Sequence, residues 1–439
     1  TLGASGDTVQ LGSGASQSGF GRTGTVDWQT GSIKTSGFTA ANGEGYFCNT
    51  SGGAFTVTLP ASPSAGDIVA VADYTRTFGT NKLTIGRNSQ PIGGITQDAE
   101  LTVNGQSATF VYVDGTEGWI NVQETQTSQT GIPPFIEATG GTITECGDFK
   151  IHTFTGPGTF EVTRISPTAA NNTVGYQVVA GGGAGGGAKC GAGAGGGGGG
   201  AGGFREGRNV PVDNFTASPL VADAPTNAIT VTATSFPITV GAGGAGTAAP
   251  SKGSNGSNSS FSTITSTGGG AAGTRSPSAP DGDASDGGSG GGGGYGSSQS
   301  GDGGSGNTPP VTPSQGNDGA DFSGPPNLPG GGGGAGSAGG PASTAGNRPD
   351  GGDGVTSSIT GSPVARAGGG AGPGVNGGGT GGPGGGADGT PGASPQPTGN
   401  SGTANTGGGG GGLAAPTNPS PTTGGSGGSG IVIIRYKFQ

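Results

Sequence analysis

Long glycine runs are the feature that most constrains how this chain can fold. Between residues 181 and 430, runs of glycine alternate with stretches of Ser, Thr, Pro, Asn and Asp, and 112 of the 439 residues are glycine. Glycine loses more conformational entropy on folding than any other residue, so such a region is ordered only if nearly all its backbone groups are hydrogen-bonded. Residues able to build a conventional core lie mostly before residue 265 and in the last nine positions.

Three physical forms are open to such a region. Collagen requires glycine at every third position, and the stretch from Gly382 to Asp388 breaks that register. A flexible Gly/Ser linker is the default interpretation of the composition. The third form is a bundle of extended, left-handed helices of the polyproline-II type, in which the absence of side chains lets neighbouring backbones hydrogen-bond to one another.

Short alternating segments separated by turn signals predict β-strands on both sides of the glycine region. The C-terminal segment 431–438 is almost continuously apolar, which is typical of a strand buried between neighbours, and we expect it to pair with strands that precede the glycine runs. The other predicted strands are 55–59, 67–72, 82–85, 108–113, 119–122, 142–144, 150–154, 159–163 and 174–180. Segments 228–233, 236–241 and 261–264 interrupt the glycine-rich sequence.

The predicted fold class is all-β. It comprises N-terminal β modules and then a β-sandwich-like base closed by the C-terminal strand, with a glycine-rich polyproline-II or polyglycine-II helical bundle inserted. The predicted domains are a repetitive β shaft segment (1–37), a β-sandwich-like module (38–124), a linker (125–135), a β base (136–265 plus 431–439) and the glycine-rich helical region (181–205 and 266–430).

Several functional classes are disfavoured by composition. The net charge is −10 and no Lys/Arg stripe exists, so nucleic acid is not an expected partner. No apolar run approaches the ~18 residues of a membrane span, and no signal peptide is visible. Glycine patterns within 181–203 resemble a dinucleotide fingerprint but lack a following helix. We therefore expect no enzyme activity, cofactor or membrane insertion. The chain has no Met, even at position 1, which suggests a piece of a longer fibre.

Few residues carry candidate chemistry. His152 is the only histidine and is expected to be structural or surface-exposed, while Cys48, Cys146 and Cys190 have no metal-type spacing and are expected to be unpaired thiols. Aspartates recur in the glycine region, where they favour solubility and turns or, alternatively, a Ca²⁺ site. These aspartates are Asp281, Asp283, Asp286, Asp302, Asp318, Asp321, Asp350 and Asp353.

Several blocks of the sequence closely resemble one group of proteins, the glycine-rich tail-fibre and virion structural proteins of marine tailed phages, of the cyanophage type. Together they cover nearly all of 1–210 and the C-terminus, whereas 265–425 is similar in composition alone. The blocks are 43–78, 103–126, 149–162, 174–187, 202–207 and 430–436.

This resemblance implies a virion protein, assembled in the host cytoplasm and extracellular when mature. It also implies a homotrimer in a fibre, contacts with other fibre or baseplate proteins, and loops that touch a bacterial receptor, either a glycan or an outer-membrane protein. The chain departs from the simplest polyglycine adhesins in its long Ser/Thr/Pro-rich stretches, which leaves the number and order of glycine helices open.

Large side chains that interrupt the glycine runs are the candidate receptor-binding residues, because exposed aromatic and Arg residues in loops often anchor recognition. The alternative is that each packs against the bundle or a trimer axis. Besides a tail-fibre adhesin, two alternatives remain open: a purely architectural fibre or head-decoration protein without receptor contact, and an ice-binding or other extracellular polyglycine protein. The candidate residues are Tyr295, Phe322, Asn327, Leu328, Arg348 and Arg366.

Overall fold

The computed structural model divides the chain into two compact units, an N-terminal unit of Thr1–Gly131 and a C-terminal unit of Ile132–Gln439. The residues that the structure describes are 26–125, 135–189, 195–210, 212–223, 229–275, 282–295, 300–322, 328–341, 348–374, 377–391, 397–414 and 422–438.

The secondary structure of the described residues consists of β-strands and one 3-10 turn at Ala169–Asn172. The strands of the N-terminal unit are β1 (Asp27–Trp28), β2 (Phe38–Thr39), β3 (Glu44–Cys48), β4 (Phe55–Thr58), β5 (Ile68–Asp73), β6 (Leu83–Gly86), β7 (Ala99–Leu101), β8 (Ser107–Asp114) and β9 (Gly118–Thr125). Those of the C-terminal unit are β10 (Glu137–Thr139), β11 (Thr142–Cys146), β12 (Phe149–Phe154), β13 (Gly158–Arg164), β14 (Thr173–Val179), β15 (Phe204–Arg208), β16 (Val221–Asp223), β17 (Ile229–Thr230), β18 (Ser235–Thr239), β19 (Ser259–Phe261), β20 (Ile264–Ser266), β21 (Val355–Ser357), β22 (Val364–Arg366) and β23 (Ile431–Lys437).

The N-terminal unit is a sandwich of two sheets, ordered β1-β3-β5-β8-β9 and β2-β4-β6-β7. From β1 to β6 the chain alternates between the sheets, so successive strands within one sheet run in the same direction and pair in parallel. Alternating apolar residues from both sheets face inward around the fully buried Trp119, Val57 and Ile85. The predicted repetitive shaft lies largely outside the described residues.

The C-terminal strand is the centre of the base in the C-terminal unit. In the seven-stranded sheet, ordered β11-β12-β23-β14-β15-β16 with β17 also paired to β14, strand β23 pairs with β12 on one side and with β14 on the other, both antiparallel. This confirms the predicted pairing of segment 431–438 with strands before the glycine runs. The five-stranded sheet β10-β13-β18-β19-β20 contributes Phe160 and Phe261 to a core shared with Tyr176 and Ile434.

A short hairpin, β21 paired with β22, contributes to a second core on the other face of the seven-stranded sheet. Val355 and Ile359 from this part of the glycine-rich sequence are buried with Phe204 and Ile433. The hairpin was not predicted, and it places a piece of the long glycine-rich stretch on the base.

Backbone hydrogen bonds between segments, rather than within them, order the glycine-rich sequence. Segment 195–203 returns to β15, and its amides from 197 to 202 donate in turn to segments 267–275, 328–334 and 407–414, and then to the same three again, over 2.8–3.0 Å. The carbonyl groups of segment 195–203 accept hydrogen bonds from amides of segments 180–189, 289–295 and 367–374. Segment 195–203 is therefore surrounded by six neighbours, and its donor direction repeats every third residue.

The segments approach each other so closely that a side chain would not fit. A Cβ atom added to Gly199 would lie 2.2 Å from the carbonyl oxygen of Gly183, and one added to Gly409 would lie 1.9 Å from that of Gly199. Glycine is required at such positions because neighbouring backbones occupy the space of a side chain.

The all-β class predicted from the sequence is confirmed. The described part of the glycine-rich region contains no helix, so the helical bundle expected there stays a prediction. In segment 261–264, Phe261 ends β19 and Ile264 begins β20, and residues 262 and 263 form the turn between them, where Ser262 has a φ of 52°. Within segment 228–233, Ile229–Thr230 is a strand.

Candidate functional site

The glycine-rich segments run between two ends. At the base end they join strands such as β14, β15, β20 and β23. At the other end, which we call the distal end, neighbouring segments are joined by isolated bridges between Ala188 and Arg275, Gly195 and Ala414, and Gly374 and Pro391. The largest side chains of these segments lie at or next to that end.

Four residues on neighbouring segments are linked by successive contacts and form what we call the distal arc: Lys189, Arg275, Tyr295 and Phe322. The Arg275 Nη1 atom donates a hydrogen bond to the Lys189 carbonyl oxygen at 2.9 Å. The guanidinium carbon of Arg275 lies 5.6 Å from the centroid of the Tyr295 ring, within cation–π range. Tyr295 in turn contacts Phe322 edge-to-face, with ring centroids 5.4 Å apart and an interplanar angle of 79°.

Exposure differs along the distal arc. Lys189 is exposed, Arg275 and Tyr295 are half-buried, and Phe322 is only 7% exposed. Among the described residues, Lys189 forms no ion pair with a carboxylate. The Tyr295 ring therefore packs against both Arg275 and the buried Phe322, and Lys189 is the most exposed residue of the arc.

A shallow, open pocket of about 350 Å³ lies beside the arc. Its lining consists of Gly319, Ala320, Asp321, Phe322, Gly339 and Pro341. The Asp321 Oδ1 atom accepts a hydrogen bond from the Gly303 amide at 2.8 Å. The second carboxylate oxygen has no hydrogen-bond donor among the described residues, so it can accept one from a bound molecule.

The structure brings together two of the six predicted receptor-binding residues, Tyr295 and Phe322. Arg348 is exposed at another segment end, where its guanidinium lies near Gly377. Leu328 starts a segment and is 8% exposed. Asn327 lies outside the described residues.

Arg366 does not lie at the distal end. It belongs to β22 at the base and is 6% exposed, and its Nη1 atom has no hydrogen-bond partner in the described part of the chain. Burial lowers the pKa of Arg366, and the negative charge of Glu206 partly offsets this. The role of all six residues in receptor binding stays a prediction.

Sequence reasoning missed Lys189, Arg275 and Asp321 as partners of Tyr295 and Phe322. Which segment ends meet could not be inferred, since Lys189 and Phe322 are far apart in sequence.

The aspartates at the perimeter of the glycine-rich segments accept hydrogen bonds from backbone amides. Along segment 300–306, the amides of residues 302, 303, 305 and 306 donate to carboxylates, whereas Gly304 donates to the Gly291 carbonyl. For these amides, side-chain carboxylates take the place of backbone carbonyls as hydrogen-bond acceptors. These acceptors are Asp283, Asp321, Asp286 and Asp318, with donor–acceptor distances of 2.7–3.0 Å.

This role was not predicted for the aspartates. In the described part of the chain, no group of three or more His, Cys, Asp or Glu residues is placed to hold a metal ion. Asp281 lies outside the described residues. The Ca²⁺ alternative therefore receives no support from the described aspartates. Five of them accept hydrogen bonds from backbone amides: Asp283, Asp286, Asp318, Asp321 and Asp350.

Glu206 joins the hairpin to the base. Its side chain is buried, accepts a hydrogen bond from the Ser218 amide at 2.7 Å, and accepts another from the Ser357 hydroxyl on β21. A buried carboxylate requires such donors because its desolvation is costly. Glu206 thus links β15 to the hairpin that carries Arg366.

His152 is a structural residue in the core. It is fully buried, its Nδ1 atom lies 2.7 Å from the Gly140 carbonyl oxygen, and its Nε2 atom lies 3.2 Å from the Tyr436 hydroxyl. Burial lowers the pKa of His152, and the hydrogen bond to Gly140 opposes that shift. Cys48 and Cys146 are free thiols, as predicted, while Cys190 lies outside the described residues.

The fold and the distal end define a class of protein: an all-β base that carries closely packed, hydrogen-bonded glycine segments. A family model described as a glycine-rich domain matches residues 154–437, which is more than half of the sequence, and the chain belongs to this family. Curated proteins gave no significant match. Over the described residues, no helix has the length and apolar character needed to cross a membrane.

Proposed function

We propose that the glycine-rich segments are polyglycine-II helices packed side by side. Such helices have three residues per turn and no internal hydrogen bonds, so their amides must pair with neighbours. In support, the donors of segment 195–203 point to three different neighbours and return to the first after three residues. At a rise of about 3.1 Å per residue, a nine-residue helix would span about 28 Å.

The spacing of perimeter acceptors supports the same proposal. Asp283 and Asp286 accept hydrogen bonds from amides of segment 300–306. Asp318 and Asp321 accept hydrogen bonds from other amides of the same segment, on its other side. Residues three apart lie on one face of a helix with three residues per turn. The same spacing occurs in Asn255 and Asn258, whose side chains accept amide hydrogen bonds from residues 271 and 268.

We further propose that the protein is a phage virion fibre or fibre-tip protein, without enzymatic activity, that attaches the particle to a bacterial host. One observation carries this proposal: large side chains of different glycine-rich segments, those of Lys189, Arg275, Tyr295 and Arg348, lie at the end away from the base. A stiff scaffold that holds aromatic and Arg side chains at one end is suited to recognition, because the anchors are pre-organised.

The resemblance to phage fibre proteins supplies the setting of the proposal. We propose a homotrimer that contacts other fibre or baseplate proteins through the parts of the chain away from the distal end. The bacterial receptor would be a surface glycan or an outer-membrane protein.

A purely architectural role is the second candidate, and burial favours it for part of the predicted site. Phe322, Leu328 and Arg366 are each less than 9% exposed, as expected for side chains that pack within the protein. The two roles differ in what the exposed side chains do. An architectural protein would tolerate changes at Lys189, Tyr295 and Arg348 without losing any binding.

The test is binding of the fluorescently labelled protein to a panel of bacterial strains, cyanobacteria included. Wild-type protein is compared with a variant carrying Tyr295→Ala and Arg348→Ala, and with a matched control carrying Tyr74→Ala and Arg76→Ala. Tyr74 and Arg76 are exposed in the N-terminal unit.

Strain-selective binding that the distal variant loses and the control keeps is the expected result. Thermal melting of each variant shows whether the fold is intact. No strain-selective binding by wild type, or equal loss in the two variants, would contradict an attachment role for the distal end.

A further inference from the structure

We infer that copies of this protein meet through segment 240–249, with the backbone of this segment in one copy hydrogen-bonded to the same segment of the next copy. The inference rests on the homotrimer of the proposed function and assigns a contact surface to it. It follows from backbone groups that no described residue pairs. We call these groups the free edge: the amides of Ala242, Ala245 and Ala248 and the carbonyls of Gly243 and Gly246.

Segment 240–249 lies at the perimeter of the glycine-rich segments. Segments 252–258 and 422–430 donate amide hydrogen bonds to its carbonyls, and its Gly244 amide donates to the Gly182 carbonyl. The alanines of the free edge are exposed, and its glycines are half-buried. In the part of the chain that the structure describes, no acceptor lies within hydrogen-bond range of the three amides and no donor within range of the two carbonyls. These groups are therefore able to pair with another molecule.

Elsewhere on the perimeter, the chain caps such amides with its own side chains. Carboxylates accept hydrogen bonds from four amides of segment 300–306. Asp350 and Asp388 accept from the amides of Thr380 and Gly381 in the same way. A row of uncapped backbone groups is a template for another chain, as it is at the edge of a β-sheet. The free edge is such a row.

The spacing of the free edge favours a copy of the same segment as the partner. Its amides recur every third residue and so do its carbonyls, which is about 9 Å at a rise of about 3.1 Å per residue. A β-strand repeats its outward groups every second residue, at about 7 Å, and would not match. Copies of segment 240–249 that run in one direction can each donate to the next. Such head-to-tail contacts close into a ring.

Charge also favours a copy at this surface. The chain has a net charge of −10, and beyond residue 223 all its aspartates lie between residues 281 and 388. Copies that brought these aspartates together would repel each other. By contrast, segments 397–404 and 422–430 have no charged residue, and Lys252 is the only one in 240–258. Two copies can therefore approach at the free edge without bringing carboxylates together.

The experiment measures the molar mass of the 439-residue chain by sedimentation equilibrium, and the exchange of single amides by hydrogen–deuterium exchange with mass spectrometry. Wild type is expected to have three times the chain mass of 40.8 kDa and slow exchange at the three amides of the free edge. Ala245→Asp places a carboxylate in every contact, so it should give the mass of one chain. Exchange at the Ala242 and Ala248 amides should then accelerate about tenfold or more, the equivalent of one lost hydrogen bond.

Ala338→Asp is the matched control, because Ala338 is exposed on another perimeter segment and receives the same charge. Its mass and its exchange at the free edge should equal those of wild type. The Gly199 amide, which donates to the Gly410 carbonyl, reports on the fold. Slow exchange at Gly199 in all three proteins shows that the glycine segments remain packed. The wild-type measurements decide the inference even if a variant unfolds.

A wild-type mass other than that of three chains would overturn the inference and the homotrimer together. Three copies with rapid exchange at the free edge, or a folded Ala245→Asp variant that is still trimeric, would overturn the inference and leave the homotrimer standing. A trimer that Ala245→Asp disrupts, but that binds no bacterial strain, would support the contact surface and count against attachment.

Discussion

The Arg435 Nε atom lies 3.9 Å from the Asp213 Oδ1 atom, and both side chains are almost fully buried, at 3% and 2% exposure. The guanidinium directs its Nη atoms elsewhere, to the Ile359 carbonyl and the Asn214 side chain, each at 3.0 Å. Asp213 is therefore poorly compensated for its loss of hydration. Burial raises its pKa to about 6, although the Asn209 amide and Arg435 oppose the shift.

This pair predicts a pH dependence of stability. The folded-state pKa of Asp213 is raised above its ordinary value of 3.8, so the protonated carboxyl group favours the folded state. The contribution of Asp213 to the free energy of unfolding is therefore fully present below about pH 4 and is lost as pH rises through about 6. At one pKa unit per 1.36 kcal/mol, the loss is about 2–3 kcal/mol.

The measurement is chemical unfolding of wild type and of Asp213→Asn between pH 4 and 7. The difference in unfolding free energy, wild type minus variant, should fall across this range. Subtraction removes the effect of His152, whose lowered pKa makes stability fall in the opposite direction, toward acid. If the difference in unfolding free energy did not change with pH, the raised pKa of Asp213 would be contradicted.

Close packing of the glycine segments predicts that a single methyl group disrupts them. Gly409→Ala would place a Cβ atom 1.9 Å from the Gly199 carbonyl oxygen, so the two backbones must separate. We expect a loss of about 3 kcal/mol or more, at the upper end of the cost of overpacking. Thermal unfolding measures this loss, with Gly156→Ala as the control because nothing lies within 4 Å of a Cβ atom there. Similar melting of both variants would contradict the packing.

Some of this architecture follows from the sequence and some does not. Segment 431–438 reveals its buried position because it is almost continuously apolar, and its pairing with β12 and β14 follows from the lack of other suitable neighbours. Strands β21 and β22 have three residues each, too few for alternation to show. They are defined by burial against the base and not by local preference.

The distal arc could not be predicted for a different reason. Its residues belong to four segments whose contacts are made by backbone groups that are the same at every glycine. Such hydrogen bonds leave no sequence signal of which segments are neighbours. Individual members such as Tyr295 can be found by their size, but their grouping depends on the order in which the segments pack.

Carboxylate acceptors at the perimeter predict a local change in amide exchange. The Asp318 Oδ1 atom accepts from the Gly306 amide at 2.7 Å, so Asp318→Ala leaves that amide without its acceptor. We expect hydrogen exchange at Gly306 to accelerate by up to about tenfold, the equivalent of one modest hydrogen bond. Asp318→Asn should retain most protection because the amide side chain keeps an acceptor oxygen.

The Gly304 amide is an internal control, since it donates to the Gly291 carbonyl in all three proteins. Unchanged exchange at Gly306 in Asp318→Ala would show that the carboxylate does not cap the segment.

The central position of β23 predicts that the C-terminal unit depends on the last residues of the chain. Truncation after Gly430 removes the strand between β12 and β14 and the fully buried Val432, Ile433 and Ile434. Calorimetry should show loss of the unfolding transition of the C-terminal unit. The transition of the N-terminal unit, which has its own core, should remain. Two intact transitions after truncation would contradict this role of β23.

The central claim is that the distal end contacts the host surface, and site-specific photo-crosslinking tests it most directly. A photoreactive phenylalanine analogue replaces Tyr295 at the distal end in one protein. In the other it replaces Ile165 at the base, a residue that is 41% exposed. After incubation with a strain that binds the protein, light should attach the Tyr295 derivative to cell-surface material and leave the Ile165 derivative free. Crosslinking from Ile165 but not from Tyr295 would contradict the claim.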